Sequence, residues 1–149
     1  MDIHIEKLEN IPLHDKGRIK DLMGQLSDKF INNPLIETNI ENIHNCSTST
    51  LIVARDCNEI VGMITMSIYD ALSGRKAWIE DFVVDCKYRG TGIADLLFHR
   101  AIDEAKKNQV DIIYLTSGSS RLRAHAFYDK MGMKKRDTSV YEMKIKSLR

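Results

Sequence analysis

The chain has 149 residues, of which 43% are hydrophobic and 29% charged, a balance typical of one folded domain that spans residues 1–149. Lysine and arginine number 22 against 21 aspartates and glutamates, so no general attraction to nucleic acid or to an anionic membrane is expected. No zinc-binding spacing links the cysteines Cys46, Cys57 and Cys86, and no metal site is predicted. Neither a signal peptide nor an apolar run of membrane-spanning length is recognisable, so we expect a cytoplasmic protein.

The first elements predicted along the chain are a short strand and two helices. The strand lies around Ile3 and Ile5. From Pro12 onward apolar residues recur every three or four positions, which predicts a helix. These residues are Ile19, Leu22, Met23, Leu26 and Phe30. Asn33 followed by Pro34 is typical of an N-cap and the first position of a second helix.

The middle of the chain predicts three strands, at residues 50–55, 59–68 and 77–84. A hairpin turn over residues 56–59 joins the first two strands. A longer turn over residues 70–76 joins the second and third, and we expect it to form the acceptor pocket together with the first two helices. Two successive antiparallel hairpins are therefore expected here.

The last part of the chain predicts a helix after Gly92, a strand at residues 111–115, a short helix ending near Gly132 and a closing strand at residues 140–145. A strand–helix–strand unit requires a right-handed crossover, so residues 77–84 and 111–115 should be parallel neighbours. Hairpins followed by such a unit indicate an α+β fold with a mixed sheet and helices packed on it.

Two glycines stand between the third of these strands and the helix, in the run Arg89-Gly90-Thr91-Gly92. Glycine lets the backbone approach a ligand closely, and the first amides of a helix have no internal partner. Such a turn suits a diphosphate at the positive end of the helix dipole, although the glycines alone also fit an ordinary tight turn. A Walker loop is disfavoured because Ile93, and not lysine, follows Gly92.

Two blocks of the sequence resemble the GCN5-related N-acetyltransferase (GNAT) superfamily. Residues 78–84 and 88–94 resemble its acetyl-CoA motif, whose core is Gln/Arg-x-x-Gly-x-Gly/Ala, except that Lys87 fills the first place of the core. Residues 124–133 resemble the Ala-x-x-Phe-Tyr-x-x-x-Gly-Phe end of a helix in the same family. Arg121 stands where the family often has asparagine.

The resemblance implies the GNAT-type acyl-CoA N-acyltransferase fold, with a mixed, mostly antiparallel sheet of six to seven strands and about four helices. It also implies transfer of an acetyl group from acetyl-CoA, the co-substrate, to a primary amine of a small molecule. Homodimers are common in the family. The residues that it implies for binding acetyl-CoA are Phe82, Val83, Val84, Arg89, Gly90, Thr91, Gly92, Ile93, Ala94, Asp95 and Arg121.

The resemblance also implies catalytic residues. An alkylammonium with a pKa of about 10.4 must lose a proton before it can attack a thioester, and Glu80 is the first candidate for the base. Asp81 and His125 are further candidates, and on a regular strand Glu80 and Asp81 would point to opposite faces. A backbone N–H near Val83 or Val84 would polarise the thioester carbonyl. Tyr128 would then protonate the departing thiolate.

Several alternatives stay open from the sequence. Residues 80–82 resemble the diamine and polyamine acetyltransferases, whereas residues 120–128 resemble enzymes that acetylate small amines and aminoalkylphosphonates. The two resemblances disagree, so the acceptor is left unassigned. Acetylation of a protein lysine or N-terminus is an alternative activity. A non-catalytic acetyl-CoA sensor is an alternative of a different class.

Overall fold

The computed structural model describes residues 1–146. The chain divides into two compact units, Met1–Tyr114 and Leu115–Arg149. The first unit contains five strands: β1 (Ile3–Lys7), β2 (Ser49–Asp56), β3 (Glu59–Ala71), β4 (Gly74–Val84) and β5 (Ile112–Tyr114). Its helices are α1 (Leu13–Leu26), α2 (Leu35–His44) and α3 (Ile93–Lys107), with short 3-10 turns at Asp28–Phe30 and Cys86–Tyr88. The described part of the second unit contains the helix α4 (Leu122–Lys130).

The strands form one sheet in the order β1-β2-β3-β4-β5, with antiparallel neighbours up to β4. The last pair, β4 and β5, is parallel and in register from Lys76 opposite Ile112 to Trp78 opposite Tyr114. The predicted α+β fold with a mixed, mostly antiparallel sheet and parallel neighbours around the crossover is therefore confirmed.

The number of strands differs from the prediction, because the sheet has five strands within residues 1–146 and not six or seven. The expected closing strand at residues 140–145 is wrong, since no strand is formed there. Its alternating apolar residues lie at the surface, with Val140 70%, Tyr141 92% and Met143 84% exposed. An alternating pattern predicts a strand only where one face is buried and the backbone finds a neighbouring strand.

The turn predicted over residues 70–76 is also wrong in its extent. Strands β3 and β4 continue into it until only Leu72 and Ser73 lie between them. Asp70 faces Arg75 across the ladder, and the Arg75 Nε donates a hydrogen bond to Asp70 Oδ1 at 2.8 Å. This cross-strand pair suits the extended hairpin. The segment therefore offers little loop from which to build the expected acceptor pocket.

Helices cover the two faces of the sheet. Helices α1 and α2 contribute to a buried apolar cluster on one face, consisting of Ile19, Leu22, Met23, Ile36, Ile40, Leu51, Val53, Ile60, Met63 and Val83. Helix α3 covers the opposite face, because Gly62 alternates with Met63 along β3. A Cβ on Gly62 would lie 3.1 Å from Leu97 and 3.3 Å from Ile93, so the close packing of α3 requires a glycine there.

The predicted N-cap of α2 is confirmed. The Oδ1 of Asn33 accepts a hydrogen bond from the Leu35 backbone N–H at 2.9 Å, and Pro34 already has helical dihedral angles. The side chain thus satisfies one of the amides that a helix start leaves without a partner. In the second unit, α4 ends before Gly132, whose φ of 87° is typical of the residue after a helix C-cap.

Candidate active site

Strand β4 carries a bulge at the two predicted acidic residues. Glu80 lies opposite Thr65 and Val83 lies opposite Met63, so β4 has one more residue than β3 over this stretch. Asp81 lies within the bulge and has a φ of 50°, in the left-handed region that non-glycine residues seldom adopt. A bulge of this kind redirects side chains and is frequent beside active sites.

The bulge brings both carboxylates toward one face of the sheet. Thr65, which lies opposite Glu80 in the register, is hydrogen-bonded to the Asp81 carboxylate. Glu80 is exposed at its surface side, but partial burial of its carboxylate raises its pKa, and the nearby charge of Asp81 raises that pKa further. Burial also raises the pKa of Asp81, against the opposing effect of the Thr65 hydrogen bond. The arrangement differs from the expected alternation because the backbone at Asp81 is left-handed, not extended.

The glycine turn follows the same strand. Gly90 and Gly92 have φ values of 77° and 86°, and a Cβ on either would meet no atom within 4 Å. The first turn of α3 is closed by the Leu96 N–H, which donates to the Gly92 carbonyl at 3.2 Å. Because Ile93 and Ala94 come before that bond, their amides have no carbonyl of the helix to bond to. The turn is thus open space beside the unpaired amides of a helix N-terminus, which is an environment that favours a diphosphate.

The predicted acetyl-CoA-binding residues of the first unit adjoin this turn. The Arg89 Nε donates to the Val84 carbonyl at 3.3 Å, which ties the turn to the end of β4. The Thr91 hydroxyl donates to the Tyr88 carbonyl. Phe82 packs against α3, with its ring 6.3 Å from the ring of Phe98. These contacts tie the glycine turn to the end of β4 and β4 to α3.

The side chains around the start of α3 differ in exposure. Val83 and Ile93 are buried, so they can offer only backbone groups to a ligand. Ala94 and Asp95 are half-buried, and Asp95 is an acidic residue in the first turn of α3. The residues present therefore fit the diphosphate of acetyl-CoA through backbone amides and the Arg89 side chain.

Two residues that anchor the glycine turn, Asp85 and Arg18, were not predicted from the sequence. Asp85 is 5% exposed, and its carboxylate accepts hydrogen bonds from Arg18 Nη2 at 2.8 Å and from the Lys87 N–H at 2.9 Å. The Nε and Nη2 of Arg18 also donate to the Ile60 carbonyl, at 3.1 and 2.9 Å. The position of Asp85, directly after a strand and before a helical turn, is a capping signal that could have identified it. Arg18 lies on α1 and has no such local signal.

Tyr88, the residue before Arg89, is held by a hydrogen bond to the end of β2. The Tyr88 hydroxyl donates to Asp56 Oδ2 at 2.8 Å, and Asp56 Oδ1 accepts from the Asp2 N–H at 2.9 Å. The Asp2 amide lowers the pKa of Asp56, and the Tyr88 hydroxyl lowers it further. The loop that leads into the glycine turn is thus fixed to the end of β2.

The other predicted residues lie in the second unit, on or next to α4. Burial raises the pKa of the Tyr128 phenol, although the charge of Arg121 opposes this shift. The Tyr128 ring meets the Phe127 ring edge to face, with centroids 5.6 Å apart. Lys130 Nζ lies 5.7 Å from the centroid of Phe127, and His125 is half-buried. Arg121 is exposed and occupies the N-cap position of α4.

Residues 1–146 contain neither a cluster of metal-binding side chains nor a helix that could span a membrane. Within that range, no three histidine, cysteine or acidic side chains come together as a metal ion would require. None of the helices described is both long and apolar enough to span a bilayer.

Comparison with known proteins identifies the family. The sequence model described as "Acetyltransferase (GNAT) family" matches residues 19–133. An uncharacterized N-acetyltransferase, YhdJ, of Bacillus subtilis (strain 168) is 40% identical over 60 residues. That match spans 40% of this chain and 42% of YhdJ, so it covers less than half of that relative.

Solved structures share the fold over nearly the whole chain. A transcriptional regulator from Bacillus halodurans C-125 superposes with a TM-score of 0.84 at 25% identity, covering 96% of this chain and 99% of that one. An aminoglycoside acetyltransferase from an uncultured soil metagenomic sample superposes with a TM-score of 0.83 at 18% identity, covering 97% of each chain. The fold and the matched residues confirm the resemblance seen in the sequence, and the chain belongs to the GNAT family of acetyl-CoA-dependent N-acetyltransferases.

Proposed function

We propose that this chain transfers the acetyl group of acetyl-CoA to the primary amine of a small molecule, by direct attack within a ternary complex. The proposal rests on the order in which the acidic bulge and the glycine turn follow each other along β4 and its connection to α3. The bulge places the carboxylates of Glu80 and Asp81 on one face, and the same strand then runs into the open glycine turn at Gly90 and Gly92. A diphosphate site and a pair of acidic groups are thus built on one rigid strand and its connection.

Acetyl-CoA supplies an activated acetyl thioester when bound. The amides of Gly92, Ile93 and Ala94 and the Arg89 guanidinium are the groups that would hold its diphosphate. Arg121, on the second unit, is a further candidate for a phosphate contact. The chemistry then needs a base for the incoming ammonium and an acid for the outgoing thiolate.

Glu80 is the proposed base. A carboxylate with an ordinary pKa is a weak base toward an ammonium, and the raised pKa of Glu80 brings it closer to the pH at which the enzyme works. Glu80 accepts a proton from the ammonium, directly or through a water molecule. The neutral nitrogen then bonds to the thioester carbon, and the carbon–sulfur bond breaks. Asp81 is the second candidate for the base because it lies in the same bulge.

Tyr128 is the proposed acid. A phenol has an ordinary pKa of about 10, so Tyr128 is protonated at neutral pH and has a proton to give to the thiolate sulfur. Burial raises the pKa of Tyr128 further in the same direction. Once bonded to the carbonyl carbon, the nitrogen is positively charged and loses its second proton to water. The proton gained by Glu80 passes to solvent after the product leaves, and Tyr128 recovers one from solvent, so one proton is released for each acetyl group transferred. Atoms and charges therefore balance, with an amide and coenzyme A as the two products.

The experiment is release of the coenzyme A thiol from acetyl-CoA in the presence of a panel of small primary amines. Turnover with at least one amine supports the proposal. Glu80→Gln should then lower kcat/KM by about 10²–10⁴-fold. Tyr128→Phe should lower kcat with acetyl-CoA affinity kept. A folded protein that binds acetyl-CoA and acetylates none of the panel contradicts the proposal.

A second candidate is an acetyl-CoA sensor without turnover. It is favoured by one observation, that the similar structure from Bacillus halodurans is described as a transcriptional regulator. A sensor needs the glycine turn and has no need of Glu80 or Tyr128. Calorimetry with acetyl-CoA separates the two: a sensor binds the thioester without releasing thiol, and Tyr128→Phe leaves that behaviour unchanged.

A further inference from the structure

Three aromatic side chains form a continuous surface on the sheet, which we call the aromatic shelf: Tyr69 on β3, Trp78 on β4 and Tyr114 on β5. The Trp78 Nε1 donates a hydrogen bond to the Tyr69 Oη at 3.2 Å. The rings of Trp78 and Tyr114 lie with their centroids 5.3 Å apart and an interplanar angle of 36°. Tyr69 is 44% exposed, and the other two are half-buried. Neighbouring aromatic rings that are partly exposed offer a surface on which a ligand can stack.

The aromatic shelf lies on the same face of the sheet as the proposed base. Trp78 and Glu80 are two positions apart on β4, so their side chains point to the same face. The intervening Ile79 and the preceding Ala77 are 4% and 0% exposed and point the other way, toward the core under α3. A molecule that brings its amine to Glu80 can therefore lay its body on Trp78.

Side chains of opposite charge lie at the two ends of this face. Glu80 and Asp81 lie at one end of the aromatic shelf. Lys76 lies at the other end, with its Nζ 5.9 Å from the centroid of the Tyr114 ring. Glu80 is four positions after Lys76 on β4, about 13 Å along the strand, with Trp78 midway. The face thus runs from acidic through aromatic to basic.

We propose that the aromatic shelf is the acceptor subsite, and that it takes a primary amine carried on an aromatic ring whose far end is neutral or anionic. This inference rests on the proposed function, since it names the class of amine that the same site acetylates. The ammonium is attracted by Glu80 and Asp81. The ring stacks on Trp78 and Tyr114, as aromatic groups prefer.

Lys76 sets the selectivity at the far end. A second positive charge on the acceptor would lie near Lys76 and be repelled, whereas a carboxylate there would be attracted. Polyamines, which carry two or more positive charges, are therefore disfavoured as acceptors. The aromatic shelf thus decides between the two classes of amine toward which the sequence pointed.

The test compares acceptors that differ in one feature. Wild-type enzyme is assayed with 2-phenylethylamine, 2-cyclohexylethylamine, 4-(2-aminoethyl)benzoate, 4-(2-aminoethyl)-N,N,N-trimethylanilinium and spermidine. We expect the phenyl compound to exceed the cyclohexyl compound in kcat/KM by about threefold or more, because only the first stacks as a π-system. We expect kcat/KM to be higher for the benzoate than for the trimethylanilinium, and to be lowest for spermidine.

Variants then assign the effects to residues. Trp78→Leu should raise the KM for 2-phenylethylamine by about tenfold, with kcat and the KM for acetyl-CoA unchanged. Trp78→Phe should restore the KM because it keeps a flat ring. Lys76→Glu should reverse the preference between the benzoate and the trimethylanilinium. Lys107→Glu, an equal change of charge at the end of α3, should leave that preference unchanged.

The outcomes separate the two proposals. No turnover with any amine overturns the proposed function, and the inference with it. Turnover in which spermidine is the best acceptor overturns the inference alone. The inference is also overturned if Trp78→Leu changes kcat/KM for 2-phenylethylamine and for 2-cyclohexylethylamine by the same factor. It is likewise overturned if Lys76→Glu leaves the preference between the benzoate and the trimethylanilinium unchanged.

Discussion

The guanidinium of Arg18 lies 2.8 Å from the carboxylate of Asp85, and this ion pair joins two residues 67 positions apart in the sequence. Through it, helix α1 is fixed to the segment that leads into the glycine turn. Asp85 also caps that segment by accepting the Lys87 N–H at 2.9 Å. Another α1 residue, Gln25, accepts the Cys86 N–H at 2.9 Å. The proposed diphosphate site thus depends for its position on a helix that contributes no group to the ligand.

The first prediction concerns the loss of this pair. Arg18→Ala leaves the buried Asp85 carboxylate without its main partner, and should lower the free energy of unfolding by about 3–5 kcal/mol. It should also weaken acetyl-CoA binding, because the glycine turn loses its anchor. Lys20→Ala is the control, since Lys20 pairs with Glu37 at 3.0 Å on an exposed part of the same helix. A surface pair of that kind contributes at most about 1 kcal/mol.

Urea unfolding and calorimetry with acetyl-CoA measure both quantities on each variant. If Arg18→Ala cost no more stability than Lys20→Ala, the anchoring role of the ion pair would be refuted.

The second prediction is a dependence of stability on pH. Burial favours the protonated form of Asp85, but the Arg18 and Lys87 hydrogen bonds outweigh it and lower the pKa of Asp85. The unfolded chain has a pKa of about 3.9 at this residue, so the stabilisation is complete above that pH and is lost as the pH falls through the lower pKa of the folded state. The difference in unfolding free energy between wild type and Asp85→Asn should therefore be large at pH 7 and smaller at pH 3. Equal differences at the two pH values would contradict this.

The third prediction separates backbone strain from ligand contact in the glycine turn. Gly90→Ala and Gly92→Ala place a Cβ at positive φ, which costs about 1–2 kcal/mol of stability. They also place that Cβ in the open space proposed for the diphosphate, so the affinity for acetyl-CoA should fall at least tenfold. Gly132→Ala is the matched control: its φ is 87°, and a Cβ there likewise meets nothing within 4 Å.

The control should lose similar stability and retain its affinity for acetyl-CoA. Equal losses of affinity in all three variants would mean that strain, and not contact with the ligand, explains the result.

The sequence predicted what is encoded locally. The apolar spacing from Ile19 to Phe30 predicted α1, although that helix ends at Leu26 and Phe30 lies in the 3-10 turn that follows. The order Asn33-Pro34 predicted the capped start of α2. The run from Arg89 to Gly92 predicted an open turn before a helix. In each case the residues that decide the structure are neighbours in the chain, so pattern and chemistry can be read together.

The features that escaped prediction depend on distant residues. The partner of Asp85 could not be identified, because nothing in the sequence near Arg18 indicates it. The bulge at Asp81 is visible only once β3 and β4 are aligned in register. The alternation at residues 140–145 predicted a strand, but a strand also needs a neighbour to pair with, and the sequence does not supply that information.

The fourth prediction concerns the pH dependence of catalysis. Because burial and the charge of Asp81 raise the pKa of Glu80, the base is protonated and inactive at pH values where an ordinary glutamate is already ionised. The acid limb of kcat/KM should therefore lie above the usual glutamate pKa of about 4.3. Glu80→Gln should remove this limb along with most of the rate. An unchanged limb in Glu80→Gln would assign the base to another group, with Asp81 the next to test.

The fifth prediction is that the buried carboxylate of Asp81 lowers the free energy of unfolding. Burial raises the pKa of Asp81, so the folded state binds a proton there more tightly than the unfolded chain, and stability falls as the pH rises from the unfolded pKa through the folded one. Asp81→Asn removes the charge, and asparagine tolerates the left-handed backbone. We expect a gain of about 0.5–2 kcal/mol at pH 7, as stabilising substitutions commonly give. The gain should shrink below pH 4, and urea unfolding at both pH values would check it.

The most direct test of the account is a crystal structure of the protein with coenzyme A. We expect the diphosphate oxygens within hydrogen-bonding distance, about 3.2 Å, of the backbone amides between Gly90 and Ala94. A diphosphate bound elsewhere, with those amides left facing solvent, would contradict the assignment of the glycine turn and the proposals that depend on it.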